Sequence, residues 1–170
     1  PAMSDPTAAS TGPSPLPANY QLANLWEAVV DRVGARECLV CGDVRLTYAD
    51  LDERANRLAH RLTASGVGVG DFVGCYLTNS TAYLETILAC FKLRAVPVNI
   101  NYRYVADELR HLFVDAGLVA VVTEHAFVAR LAEVAPEVPT LRDALVVGAS
   151  AEDLVALAAA GLTAEDLEVA

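Results

Sequence analysis

The chain has 170 residues, 54% of them apolar and 20% charged, enough to bury a core as one domain or as the front of a larger one. Twelve Lys and Arg against 22 Asp and Glu give a net charge of -10, and no local basic patch offsets it, so a nucleic-acid partner is not expected. No apolar run reaches the roughly 20 residues of a membrane-spanning helix, and no basic-then-apolar signal opens the chain, so no transmembrane segment and a cytoplasmic location are expected.

Residues 1–19 are rich in Pro, Ser, Thr and Ala and read as a disordered leader, in which Pro1-Ala2 before Met3 has the look of a cloning scar. Leu22, Leu25, Trp26, Val29, Val30 and Val33 then recur at helical spacing, predicting an amphipathic helix that ends at Gly34. Apolar segments 37–41 and 44–48, separated by Gly42-Asp43, predict a hairpin. Thr47, three residues before Asp50, predicts a capped helix start. The helix it opens carries Leu51, Ala55, Leu58, Ala59 and Leu62 on one stripe, with Asp52, Glu53, Arg54, Arg57 and Arg61 on a solvated face.

Four cysteines, Cys38, Cys41, Cys75 and Cys90, lie in apolar surroundings. Cys38 and Cys41 spell C-x-x-C, but no second pair or His pair completes a metal site, and residues three apart on a strand face opposite ways. They are expected to be buried structural thiols, and no metal is expected. Gly66, Gly68 and Gly70 follow a helix and precede a strand, the reverse of a dinucleotide loop, so they read as a turn.

A strand over 72–78 follows, then a helix that Asn79-Ser80 can cap and whose expected buried stripe is Leu84, Ile87, Leu88 and Phe91. Strand 95–100, helix 105–116, strand 118–123, helix 125–134 and strand 141–147 continue the rhythm. The fold class is therefore α/β, a mostly parallel sheet with helices on both faces and a short N-terminal hairpin. The ordered unit is expected over 20–148, with 149–170 an acidic connecting segment, partly disordered beyond a short Ala-rich helix.

Two stretches carry a family resemblance. Leu46-Thr47-Tyr48-Ala49-Asp50-Leu51 and Lys92-Leu93-Arg94-Ala95-Val96-Pro97-Val98-Asn99 resemble, in this order, the opening of the adenylate-forming enzymes. Val98-Asn99-Ile100-Asn101-Tyr102-Arg103-Tyr104-Val105-Ala106-Asp107-Glu108-Leu109-Arg110 is similar to a block of the fatty-acyl and steroid-side-chain CoA ligases. Leu93-Arg94 departs from that pattern, which has Ala-Gly there, and places a large cation where the backbone turns on glycine. The resemblance implies a partial acyl-CoA-synthetase-like N-terminal domain of an ATP-dependent acyl-CoA ligase. It also implies that the Ser/Thr/Gly-rich phosphate loop and the catalytic groups lie outside this chain.

ATP, Mg2+ and CoA are thus the cofactors implied for the complete enzyme. None is expected to bind tightly to this chain, and no catalytic residue is assigned. The implied partner is the remainder of the enzyme, with a homodimer through exposed sheet edges as a further expectation. The alternative is a stand-alone, non-catalytic interaction or regulatory module of the same fold. One binding residue is singled out: the resemblance places Arg103 against the phosphates of CoA, whereas its local sequence favours an ion pair with Asp107 or Glu108 at the next helix start.

Overall fold

Val121-Val122-Thr123 and Ala144-Leu145-Val146 are buried on both faces, which a strand achieves only inside a sheet covered twice. The computed structural model describes residues 21–167, so the leader expected over 1–19 lies outside the described residues. Five strands, β3 (Phe72–Tyr76), β4 (Val96–Asn99), β5 (Ala120–Glu124), β6 (Asp143–Val147) and β7 (Thr163–Leu167), form one parallel sheet in the order β4-β3-β5-β6-β7. A separate antiparallel hairpin pairs β1 (Glu37–Cys41) with β2 (Val44–Thr47) through the expected Gly42-Asp43 turn.

The helices are α1 (Leu22–Val33), α2 (Tyr48–Ala64), α3 (Thr81–Leu93), α4 (Ala106–Ala116), α5 (Val128–Val134) and α6 (Ala151–Ala159). Leu58, Leu62, Ala89 and Cys90 of α2 and α3 close over Val73, Val122 and Leu145 on one face. Leu109, Phe113, Leu131 and Leu157 of α4, α5 and α6 close over Val121, Ala144 and Val146 on the other. The winding reverses where α4 carries the chain from β4 across β3 to β5. The helices change face there, which puts the topological switch point of the sheet, where open α/β sheets take ligands, outside the carboxyl ends of β3 and β5.

Several expectations need correction. The acidic segment after Gly148 is ordered through residue 167: Ser150 caps α6 in a reciprocal box with Asp153, and residues 163–167 form the edge strand β7. Alternation of Thr163, Glu165 and Leu167 on one face with Ala164 and Asp166 on the other was masked by acidic composition. On α3 the buried residues are Thr81, Ala82, Glu85, Thr86, Ala89 and Cys90, while Leu84, Ile87, Leu88 and Phe91 are only half-covered or exposed. Small side chains let α3 lie close against α2 and the sheet, which the large stripe would prevent. Ser80 occupies the N-cap position but makes no side-chain cap bond, its hydroxyl turning back to the Thr78 carbonyl.

Helix α1 packs on α2 and α3 rather than on the sheet, so Leu22 and Leu25 stay exposed and Ala23 is its buried residue. The α2 stripe is buried as expected, but its polar face is not uniformly solvated: the Arg54 side chain is 14% exposed and pairs with Glu85 at 5%. Cys75 and Cys90 are buried, with the Cys75 thiol pushed up to about 12 and Cys90 also raised, both chiefly by desolvation. Cys38 and Cys41 are only half-buried, because the hairpin lies outside the main sheet, and all four thiols are free.

Candidate functional site

In an open parallel sheet, ligands bind outside the carboxyl ends of the strands. Here the two central strands are fastened at those ends: the Thr78 amide and hydroxyl donate to Glu124 Oε1 at 2.7 and 2.6 Å. Next to this clasp, His125 Nδ1 lies 2.5 Å from Asp153 Oδ2. Burial alone would raise the Asp153 carboxyl, but hydrogen bonds from His125 and from the Ser150 amide and hydroxyl outweigh it and hold the group below its usual value. His125 thus ties the end of β5 to the start of α6, where the sequence had marked it only as a helix-start residue.

Arg103 sits in the loop between β4 and α4. Its amide donates to Asn101 Oδ1 at 3.0 Å, and the Tyr104 amide donates to the Asn101 carbonyl at 3.0 Å, closing the turn. The expected ion pair with Asp107 or Glu108 is not formed. Glu108 Oε2 instead accepts the Val105 amide at 2.9 Å, and Asp107 accepts from Arg110 at 2.6 Å. Both carboxylates are taken by nearer partners that complete the helix start, since an orphan amide and an i,i+3 neighbour lie within easier reach.

The Arg103 guanidinium instead lies over the Tyr102 ring, 5.5 Å from its centroid. Tyr102 is stacked on Phe127 at 6.1 Å, and Phe127 on the fully buried Tyr76 at 4.8 Å. A column of three rings therefore runs from the core to Arg103. Arg130 of α5 flanks it: Nη1 donates to the Tyr104 carbonyl at 2.7 Å and lies 3.4 Å from both the Tyr102 carbonyl and the Tyr76 hydroxyl. Among the described residues, neither Arg103 nor Arg130 has a carboxylate partner.

That separates this corner from a cleft of about 530 Å³ between α2 and β7. There Arg54, Arg57 and Arg61 line the wall, but each is already paired, with Glu85, Glu53 and Glu165. In a chain of net charge -10, two guanidinium groups without carboxylates at the carboxyl edge of the sheet mark an anion-attracting corner. Sequence reasoning found Arg103 but missed Arg130 and the rings beneath it. Its available signal was an Arg in the first helical turn after a strand, which becomes informative only when the neighbouring loop is known to lie beside it.

Among the described residues no group of three or more His, Cys, Asp or Glu side chains could hold a metal ion, and no helix is long and apolar enough to cross a membrane. His60 and His111 are exposed on α2 and α4. No catalytic group is placed at the corner by these residues.

A family model described as AMP-binding enzyme matches residues 26–167. A medium/long-chain-fatty-acid--CoA/3-oxocholest-4-en-26-oate--CoA ligase of Mycobacterium marinum is 44% identical over 126 residues, covering 74% of this chain and 23% of that protein. A 3-oxocholest-4-en-26-oate--CoA ligase of Rhodococcus rhodochrous is 41% identical over 126 residues, covering 74% of this chain and 23% of that protein. The chain thus spans about a quarter of the length of these relatives. Among solved structures, a Mycobacterium tuberculosis fatty acyl CoA synthetase superposes with a TM-score of 0.72 at 28% identity, covering 79% of this chain and 28% of that one. An anthranilate CoA ligase in complex with anthranoyl-AMP superposes at 0.76 with 19% identity, covering 90% of this chain and 30% of that one, a likeness of fold alone.

Proposed function

The chain belongs to the AMP-binding enzyme family, and on that premise we propose that it forms the opening α/β part of an ATP-dependent ligase that joins a carboxylic acid to CoA. A carboxylate is a poor electrophile. Its oxygen must first bond to the α-phosphorus of ATP, releasing pyrophosphate and leaving an acyl-AMP anhydride. The CoA sulfur then bonds to the acyl carbon as the bond to AMP breaks and the thiol proton is released. Groups that neutralise the transferring phosphate carry the first step. None of the described residues offers a phosphate loop or a metal cluster for ATP or Mg2+, so no residue is assigned to that step.

What supports a role in the second step is Arg103, an exposed guanidinium without a carboxylate partner, braced on Tyr102 at the carboxyl edge of the sheet. A fixed fork of this kind suits a phosphate of CoA. For the acid, the names of the relatives point to medium- and long-chain fatty acids or a steroid side-chain carboxylate. The test is to assay the gene product that contains this chain for AMP release dependent on ATP, CoA and each acid in turn. Arg103→Ala is expected to raise the KM for CoA about tenfold, the effect of one charge-assisted phosphate contact. No CoA-dependent AMP release would overturn the ligase reading, and an unchanged KM would remove Arg103 from it.

The homodimer expected through sheet edges is carried, in our reading, by β7. On β4 the Val96 and Ile100 amides point inward to β3, so position 97 faces outward, and Pro97 has no N–H to offer. On β7 the Thr163 amide points inward to the Arg142 carbonyl, which leaves Ala164 and Asp166 presenting outward backbone groups with no partner strand among the described residues. A second copy of the chain pairing there would be lost on Ala164→Pro. Sedimentation velocity reads it, and a monomer at all concentrations in the unmodified chain sinks the dimer.

A further inference from the structure

We infer that Arg130 is the positioning residue of the Arg103 corner: it holds the loop between β4 and α4 in the one shape that presents the Arg103 guanidinium to an anion. The inference rests on the CoA-phosphate reading of Arg103 given above.

Arg130 comes from a different element, α5, yet a single nitrogen of it reaches two carbonyls of the loop, those of Tyr102 and Tyr104, one on each side of Arg103. The same nitrogen lies 3.4 Å from the hydroxyl of Tyr76, the buried base of the ring column. Arg103 is therefore held from two directions. Its side chain rests on Tyr102 and, through Phe127, on Tyr76, while its backbone is clamped at the carbonyls before and after it. An arginine that spends its donors on carbonyls keeps its charge uncompensated by any carboxylate. The clamp thus brings no carboxylate into the corner to compete with an anion for the Arg103 guanidinium, as an ion pair would. Holding a long side chain in its bound shape before the ligand arrives removes an ordering cost from binding, and that is where such a clamp acts.

The test uses the complete gene product. Arg130→Ala is expected to raise the KM for CoA about five- to tenfold while kcat at saturating CoA changes less than twofold. Arg130→Lys, which keeps the charge and a single donor nitrogen, is expected to fall between. Because Arg130 acts through Arg103, the double variant with Arg103→Ala should show no larger KM than Arg103→Ala alone. Hydrogen exchange at the Arg103 amide, read without CoA, should speed up in Arg130→Ala and remain unchanged in Arg103→Lys. The inference is overturned if Arg130→Ala leaves the KM for CoA and the amide exchange unchanged, or if its effect persists in full in the Arg103→Ala background. If the amide exchange responds but neither Arg103→Ala nor Arg130→Ala moves the KM, it is the CoA-phosphate reading of Arg103 that has failed.

Discussion

The carboxylate of Asp52 on α2 accepts the indole N–H of Trp26 on α1 at 2.7 Å. The same oxygen lies 2.8 Å from Lys92 Nζ on α3, and the second oxygen accepts from Asn56 at 3.0 Å. One side chain that amphipathic patterning assigns to solvent thus joins three helices. Its own side chain is 17% exposed and that of Lys92 is 9%. Asp52→Ala should leave the indole without its acceptor and the Lys92 ammonium with Glu27, 3.1 Å away, as its remaining partner, and cost about 1–2 kcal/mol. Asp52→Asn keeps an acceptor for the indole and should cost less. Urea denaturation gives the energies, and fluorescence of the single tryptophan reports the loosened α1.

Arg94 is the one non-glycine described residue with positive φ, at 58°, closing α3 with its amide directed at the Cys90 and Phe91 carbonyls. The left-handed conformation costs a side-chain-bearing residue more than it costs glycine. Arg94→Gly is expected to raise stability by about 0.5–1 kcal/mol, the relief of strain being partly offset by a more flexible unfolded chain. A higher urea midpoint with unchanged slope is the expected result.

Gly74, in the middle of β3, has no room for a side chain. A Cβ there would stand 2.7 Å from Ile100 Cδ1, 3.1 Å from Leu118 Cδ1 and 3.2 Å from Val121 Cγ2. Gly74→Ala should cost about 1–3 kcal/mol by overpacking. Adding Ile100→Val removes the shortest of these contacts, so the double variant should be more stable than the sum of the two single changes predicts. Additive losses would count against the packing account.

The Thr47 hydroxyl accepts the Asp50 amide at 3.1 Å, and Asp50 Oδ2 accepts the Thr47 hydroxyl and amide at 2.7 and 2.9 Å. Those bonds, the hydroxyl first, hold the Asp50 carboxyl below its ordinary value of 3.8. A depressed carboxylate stabilises the fold above the unfolded value and loses that contribution as pH falls through the folded one. Stability should therefore decline below about pH 4, with Asp153 contributing in the same direction. Thr47→Ala should cost about 1 kcal/mol at neutral pH and flatten the acid decline. Helical circular dichroism against urea at several pH values measures both.

Where one physical rule acts alone, the sequence was sufficient. The Thr47–Asp50 box, the Gly42-Asp43 turn and the buried stripe Leu51, Ala55, Leu58, Ala59 and Leu62 are all local consequences of side chains a few residues apart. Leu84 and Phe91 on α3 were misassigned because apolar spacing names a face but not the neighbour it meets. A close α2 packs best on Ala82, Thr86 and Ala89, so the large residues fell outside. Glu165 and Asp166 hid a strand, since acidic composition suggested a connector, while Arg61 and the Ala149 amide supply the partners that let both carboxylates sit beside a sheet.

By itself the sequence determined the layered α/β class, the order of helices and strands through β6, and Arg103 as a residue apart, because periodicity, caps and the ordered motifs are all written within short spans. Only the tertiary structure decided that β7 joins the sheet, that Asp107 and Glu108 are already engaged, and that Arg130, 27 positions beyond Arg103, grips the same loop. The physical reason is that a parallel sheet brings together residues separated by whole crossovers, and the choice of partner there depends on distances that no local pattern encodes.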